Sequence, residues 1–526
     1  MIFLVHEKAH KVVNVWRDAD KLFLSGDLCS IFWKLAVDYP EDLLIWVEKD
    51  FLPFLRKDRL EEIFDHELKM SSYAIRSKFL SGKIGYVDQL PFINIKANVK
   101  FPTWRMSSDV GGIHCKNLLN FRGQFRNIAN FDYLLNSIAK VGQSSGLFCY
   151  SEPQLVSAVR EKPLRTTAGN KQLFSFVYQN YRSVWIFVLF YCCVKYERSF
   201  PLVALLQLLK KRKFDSVKIP EPETSSTRDF QADQIEPSVD VIIPTLGRAE
   251  YVRQVVEDFR NQSLLPKTII LVEQQPIEGS MSELQDLLNK KWPFQILHIL
   301  TRKTGACRAR NLALEKVKSQ WVFFADDDIR LKEDVLSEAL RQAKGLKASC
   351  INLNCKQPGE VTVFPKIKQW GSFGSGTSIV ESIFIRNLRF SEVFEHGYGE
   401  DLDFGMKLRE MGCDIIYHPK LEIEHLKAPT GGFRKNKVLP WEKGETIPKP
   451  SPTVMILAKK YFTDRQIKGF KISLFLKFFR NQRIRNPFVY FRMMQKNWKC
   501  SEEWAERLEK KMVVDEIDAE GGMEHL

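Results

Sequence analysis

The chain has 526 residues, 44% of them hydrophobic, with 27 Gly and 23 Pro; this excludes a disordered or fibrous protein and allows two to four domains with cores of their own. Lysine and arginine outnumber aspartate and glutamate by 79 to 64, and the formal charge of +15 calls for an anionic partner: a phosphorylated substrate, an acidic membrane surface or nucleic acid. The 10 cysteines are scattered, with no CxxC spacing and only Cys192 and Cys193 adjacent, which argues against a zinc ribbon or a disulfide framework and for reduced thiols in a cytoplasmic setting.

The first residues, Met1 to Val5, form too short an apolar run for a signal peptide and read as a first strand. Residues 1–165 mix strand-like runs (2–5, 43–47, 147–150) with helical patterns (57–64, 131–140), as in an α/β accessory domain. Trp104, Arg105 and His114 fit a sugar pocket or a core, and core is the commoner fate of such side chains. Residues 166–215 form a helical segment whose apolar run, 184–194, falls short of the ~20 residues a spanning helix needs; a buried or interfacial helix is expected. It ends in Lys210-Lys211-Arg212-Lys213, and a Pro, Ser and Glu-rich linker follows at 216–236.

From 237 to 435 apolar strands (239–243, 268–272, 294–300, 321–325) alternate with helical patterns (251–261, 281–288, 307–317, 332–344), the signature of a doubly wound, mostly parallel sheet. A strand at 378–385, a helix over 402–411 ended by Gly412, and a short strand at 415–417 follow; 430–434 is a glycine-containing loop. Residues 436–512 form a basic helical extension. No Asp or Glu occurs in 465–500, and Ile472, Phe475, Leu476 and Phe479 make one apolar stripe that suits either a membrane surface or packing on the protein. An acidic tail, 513–526, closes the chain.

The chemistry concentrates at Asp326-Asp327-Asp328, directly after the apolar strand that begins at Trp321. Three adjacent carboxylates repel one another, and a divalent cation resolves the conflict; hard oxygen ligands in a short loop suit Mn²⁺ or Mg²⁺, which take further ligands from substrate phosphates. Capping of the next helix is the bland alternative. Pro244 and Thr245 end the first strand, where their backbone, with Glu273, suits a uracil-like base; Glu273 serves equally as a loop cap. Gly305 precedes a helix start bearing Arg308 and Arg310, a natural seat for diphosphate charge, and one of the two arginines is expected to pair with a structural carboxylate. Glu400 and Asp401 open a helix whose amino end favours ionised carboxylates.

Val241-Ile-Ile-Pro-Thr245 with Arg248, Glu273, Gly305 with Arg308-Ala-Arg-Asn311, the aspartate trio, Gly399-Glu-Asp401 and His425 together resemble a family 2 glycosyltransferase of the GT-A type, over residues 237 to about 430. The resemblance implies an α/β fold with a doubly wound mixed GT-A sheet, flanked here by the N-terminal accessory domain and the C-terminal basic helices. It implies a nucleotide-diphospho-sugar donor, with UDP as the expected nucleotide, and Mn²⁺ or Mg²⁺ held by Asp328 and His425, with His418 as the competing histidine. Asp326 lies on the ribose side and Asp327 between. Asp401 is then the general base and Glu400 its neighbour at the acceptor, giving single displacement with inversion. The expected acceptor is a glycan or lipid-linked hydroxyl in surface polysaccharide synthesis, at the inner face of a membrane, with no nucleic acid involved. A sugar nucleotidyltransferase lacks support because no Gly-rich loop with a lysine follows the first strand, and a non-catalytic glycan- or nucleic-acid-binding protein would leave the acidic motifs without a purpose.

Overall fold

The computed structural model describes residues 1–157, 164–221, 237–395, 397–429, 438–480 and 482–521, and it divides into two compact units. Unit 1 comprises Met1–Glu223 with Tyr461–Leu476, and unit 2 comprises Thr224–Lys460 with Lys477–Leu526. The expected linker lies outside the described residues from 222 onward, as does the loop at 430–434.

The main sheet of unit 1 is built from β1 (Ile2–Glu7), β2 (Lys11–Arg17), β3 (Asp20–Lys21), β4 (Leu43–Glu48), β5 (Lys69–Tyr73), β6 (Phe101–Pro102), β7 (Val110–His114) and β8 (Phe148–Ser151). They form one eight-stranded sheet in the order β3-β2-β1-β4-β7-β5-β8-β6. Central β4, Leu-Leu-Ile-Trp-Val-Glu, is buried along its whole length, which explains its unbroken apolar run. Helices α1 (Leu28–Asp38), α2 (Cys115–Phe125) and α3 (Phe131–Ser145) belong to the same unit; α3 starts on Asn130, whose side chain accepts the Tyr133 N–H, and stops at left-handed Gly146.

Trp104 is a core residue, and Arg105 and His114 are half-buried beside the core with backbone partners. The Trp104 indole donates to Asp88, Arg105 donates to the carbonyls of Leu80 and Ile93, and His114 pairs with the Phe64 carbonyl. Helices α4 (Asn170–Asn180), α5 (Val184–Glu197) and α6 (Leu202–Leu206) follow. In α5, Val188, Leu189 and Cys192 are buried while Phe187 is 73% exposed, so it is a surface helix with one buried face. Among the described residues no helix is long and apolar enough to cross a membrane.

The basic helix Asp464–Phe479 lies largely in unit 1. Gln466, fully buried, donates to the carbonyls of Asp88 and Leu90 and accepts from Asn94, and Ile472 and Phe475 are buried. Half of the apolar stripe, Ile472 and Phe475, is therefore turned into the protein, while Leu476 and Phe479 are exposed.

Unit 2 holds β9 (Val239–Thr245), α7 (Ala249–Arg260), β10 (Thr268–Gln274), β11 (Gln295–Thr301), α8 (Ala306–Leu314), β12 (Trp321–Ala325), β13 (Ile329–Arg330), α9 (Val335–Leu346), β14 (Cys350–Lys356), β15 (Lys368–Gln369), β16 (Thr377–Glu381), α10 (Glu400–Glu410), β17 (Ile416–His425) and α11 (Pro452–Tyr461). The nine strands form a sheet in the order β11-β10-β9-β12-β16-β14-β17-β13, with β15 on β17. Strands β11, β10, β9 and β12 run parallel and β16 is antiparallel to β12, so the doubly wound half passes into a mixed half. Buried Asp240 fixes the turn into β12 by accepting from Lys318 N, Ser319 N and Ser319 Oγ. The helix expected at 281–288 is reduced to Gln285–Leu288, and the short strand expected at 415–417 is the ten-residue β17, which carries His425 at its end.

Candidate active site

The carboxyl ends of β9 and β12 open on a cavity of about 320 Å³. Eight residues singled out in the sequence meet there: Pro244, Thr245, Arg248, Arg310, Asp326, Asp327, Asp328 and His425. Strand β12 delivers the three aspartates at its end, and β17, antiparallel to β13 with Ile329 opposite His425, brings the histidine alongside.

Each carboxylate has its own partners. Asp327 is clamped by Arg248 Nη1 at 2.7 Å and Thr245 Oγ1 at 2.7 Å. Burial pushes its pKa up, and Arg248 and Thr245 offset only part of that. Asp328 faces His425 Nε2 at 3.1 Å, takes the Ala428 N–H at 2.9 Å and lies 3.3 Å from Arg248. Burial works against its charge, but the His425 and Ala428 hydrogen bonds and the Arg248 guanidinium outweigh burial and hold it at about 2. Asp326, the most exposed of the three, pairs with Arg310 Nη2 at 3.1 Å.

Arg310 ties the trio to Asp401. Its Nε donates to the Ser375 carbonyl at 3.1 Å, and the Ser375 N–H reaches Asp401 Oδ1 at 3.3 Å. Asp401 is half-buried and is not among the residues that line the cavity; Ser375 connects it to Arg310, and its backbone carbonyl accepts the Phe373 N–H. Burial raises its pKa to about 6, Arg310 and Ser375 work against that, and Glu400 and Asp326 reinforce it. Glu400, outside the lining too, turns back onto the Gly399 N–H at 3.0 Å.

Three other expected donor-binding residues are also absent from the lining. Glu273 caps its own loop: it accepts from Ser282 Oγ and Glu283 N and meets His298 Nε2 at 2.8 Å. Arg308 pairs with Glu392, and its backbone N–H donates to Glu395, so a carboxylate already sits at the amino end of α8 where diphosphate was expected. Gly305 is there for space, since a Cβ would meet Glu395 Oε1 at 2.3 Å.

Two further contributors carry no charge that would mark them in the sequence. Gln274 bridges the Thr245 carbonyl and the Gly305 N–H. The turn Gly374-Ser375-Gly376 joins the two acidic sites, and a Cβ on Gly376 would come 2.1 Å from Asp326 Oδ2. A pair of glycines just before a strand was the available signal.

Among the described residues no group of three or more His, Cys, Asp or Glu side chains is set to hold a metal ion. The chain offers two donors in reach of one ion, the Asp328 carboxylate and His425 Nε2. A hard oxygen with a neutral imidazole fits Mn²⁺ or Mg²⁺, provided the remaining ligands come from water and phosphate.

A sequence model described as Glycosyl transferase family 2 matches residues 240–393. An "Uncharacterized glycosyltransferase" of Haemophilus influenzae is 26% identical over 194 residues, covering 34% of this chain and 76% of that protein. A "Putative teichuronic acid biosynthesis glycosyltransferase TuaG" of Bacillus subtilis is 30% identical over 105 residues, 20% of this chain, and the match spans only 41% of that protein's length. Among solved structures, Staphylococcus aureus TarS 1–349 in complex with UDP-GlcNAc gives a TM-score of 0.35 at 16% identity, covering 45% of this chain and 70% of that one. Mannosyltransferase PcManGT from Pyrobaculum calidifontis gives 0.32 at 16%, covering 55% and 81%. What these comparisons share is a match between residues 240–393 of this chain and the Glycosyl transferase family 2 model.

Proposed function

We propose that the chain transfers a sugar from a nucleotide-diphospho-sugar, UDP-linked, to a hydroxyl of a glycan or lipid-linked acceptor, with inversion at the anomeric carbon and dependence on Mn²⁺ or Mg²⁺. One observation carries the reading: a cavity lined by Asp326, Asp327, Asp328 and His425 is joined through Arg310 and Ser375 to a carboxylate, Asp401, raised to about 6. Asp328 and His425 would hold the ion, with His425 giving up the Nε2–H bond it makes to Asp328 and taking the tautomer protonated on Nδ1. When bound, the ion neutralises charge that develops on the diphosphate leaving group.

The chain's own groups do the rest. Arg248 and Arg310 give the cavity a cationic lining suited to a diphosphate. Asp401, ionised above about pH 6, takes the proton of the acceptor hydroxyl as that oxygen attacks. One base without a second nucleophile gives a single displacement. Asp327, clamped by Arg248 and Thr245, fixes the loop that carries its two neighbours.

The Bacillus subtilis relative's name supports surface polysaccharide as the product class. Peripheral attachment to an anionic membrane is supported by exposed Phe187 of α5 and by Val203, Leu206 and Leu209 in and just after α6, which are exposed next in sequence to Lys210, Lys211 and Arg212. The test is transfer from a panel of nucleotide-sugars with Mn²⁺ against the same reactions with chelator. Transfer that survives Asp328→Ala, or no donor turnover across the panel, refutes the reading.

A further inference from the structure

Unit 1 repeats the sheet of unit 2. Read from β1, the strands β1-β4-β7-β5-β8 pair parallel, antiparallel, antiparallel, parallel. Read from β9, the strands β9-β12-β16-β14-β17 pair in the same sequence of senses. Chain connectivity agrees as well, since each set is visited in the order first, second, fourth, third, then helix (α2 and α3 in unit 1, α10 in unit 2), then fifth. Five strands sharing neighbours, senses and connectivity leave few other topologies to choose from.

The ladders align the two units residue by residue. Val47 opposite Val110 matches Ala325 opposite Thr377, which places Glu48 at the position of Asp326 and Ser108 at that of Ser375. The same backbone bond follows in both: Glu48 N donates to Asp109 O at 2.8 Å, as Asp326 N does to Gly376 O at 3.3 Å. Asp132 is the second residue of α3 and Asp401 the second of α10. Each helix is followed by a left-handed glycine, Gly146 or Gly412, four residues before a matched strand position, Tyr150 or Ile416.

At the matched site unit 1 is filled. The trio's place is taken by Glu48-Lys49-Asp50, where Lys49 pairs with Glu7 and Asp50 with Arg76. His6, fully buried, lies 2.8 Å from Ser108 O and 3.4 Å from Glu48 Oε2, bridging the two positions that Arg310 bridges in unit 2. The Lys8 N–H closes on Glu48 at 2.6 Å. The strands on the nucleoside side are replaced too: β1 has antiparallel β2 as its outer neighbour, where β9 has parallel β10.

We propose that residues 1–157 are an internal second copy of the transferase sheet whose donor site has been closed by His6 and the β1–β2 hairpin, so that one chain binds one nucleotide-sugar and unit 1 performs no transfer. The stoichiometry rests on the function proposed for unit 2, whereas the closure of unit 1 does not.

The test is calorimetric titration of the full chain with nucleoside diphosphates (UDP, GDP, CDP and TDP) and Mn²⁺, in the wild type, Asp328→Ala and Asp132→Asn. The expected result is one diphosphate per chain, no binding in Asp328→Ala, and unchanged binding with a transfer rate within about twofold of wild type in Asp132→Asn. Two diphosphates per chain, or residual binding in Asp328→Ala that the added Asp132→Asn change removes, overturns the proposal. A more than tenfold loss of transfer in a folded Asp132→Asn protein, judged by circular dichroism, overturns it as well. Absence of binding to the wild type would count against the function of unit 2 while agreeing with a closed unit 1.

Discussion

Replacing Asp401 by Asn is expected to stabilise unit 2 while removing its activity. The Asp401 carboxyl rises from an ordinary 3.8 to about 6, and at about 1.4 kcal/mol per pKa unit that corresponds to an upper limit of about 3 kcal/mol. The sign follows from the raised value. The neutral carboxyl favours the folded state; that contribution is fully present below pH 3.8 and is lost as pH rises through about 6, so wild type carries the cost of a charged, half-buried Asp401 at pH 8. Asn is neutral throughout and keeps an oxygen for the Ser375 N–H. Asp401→Asn should therefore raise the unfolding midpoint of unit 2 at pH 8, by on the order of 5–10 °C at the upper limit, and should match wild type at pH 4. Transfer should fall by on the order of 10²–10⁴-fold, and the wild-type rate should show an acid limb near pH 6. Thermal unfolding at both pH values with initial-rate assays checks this. A stabilisation equal at pH 4 and pH 8, or a variant that transfers at the wild-type rate, refutes the reasoning.

His425→Ala should raise the Mn²⁺ concentration needed for half-maximal transfer by about tenfold or more, because one of two protein donors is lost; titration of rate against Mn²⁺ reads it. Gly376→Ala forces a methyl against Asp326 Oδ2 at 2.1 Å; unit 2 should lose about 1–3 kcal/mol of stability and most of its donor affinity, measured by denaturant unfolding and calorimetry. Changing Phe187 and Leu209 together to Glu should abolish flotation with vesicles containing anionic phosphatidylserine and leave transfer to a water-soluble acceptor unaffected; wild type that fails to float refutes the membrane surface.

What the sequence made legible was mostly local. Central strands announce themselves because burial on both faces demands unbroken apolar runs, as in Trp321–Ala325, and the acidic trio is visible because nothing else in the chain repeats it. Strand β17 was harder: Pro419 and alternating charges at Lys420, Glu422 and Glu424 mimic a loop, yet the ladder to β14 continues after a register shift between Leu353 and Asn354. The occupation of the α8 amino end by Glu395 and the pairing of Arg308 with Glu392 depend on residues some 80 positions away, which no local pattern encodes. The amphipathic helix Asp464–Phe479 displayed its apolar stripe plainly, but a stripe does not name its partner.

That helix also constrains how the molecule is made. Unit 1 is discontinuous, because Tyr461–Leu476 supplies Gln466 to the carbonyls of Asp88 and Leu90 only after 224–460 has been translated. At 5–20 residues per second the nascent amino-terminal half waits on the order of 10–50 s on the ribosome with that seat vacant. A truncation ending before residue 461 would leave it permanently unsealed, so expression of the first half alone should give aggregation-prone material that a co-expressed 461–476 peptide rescues.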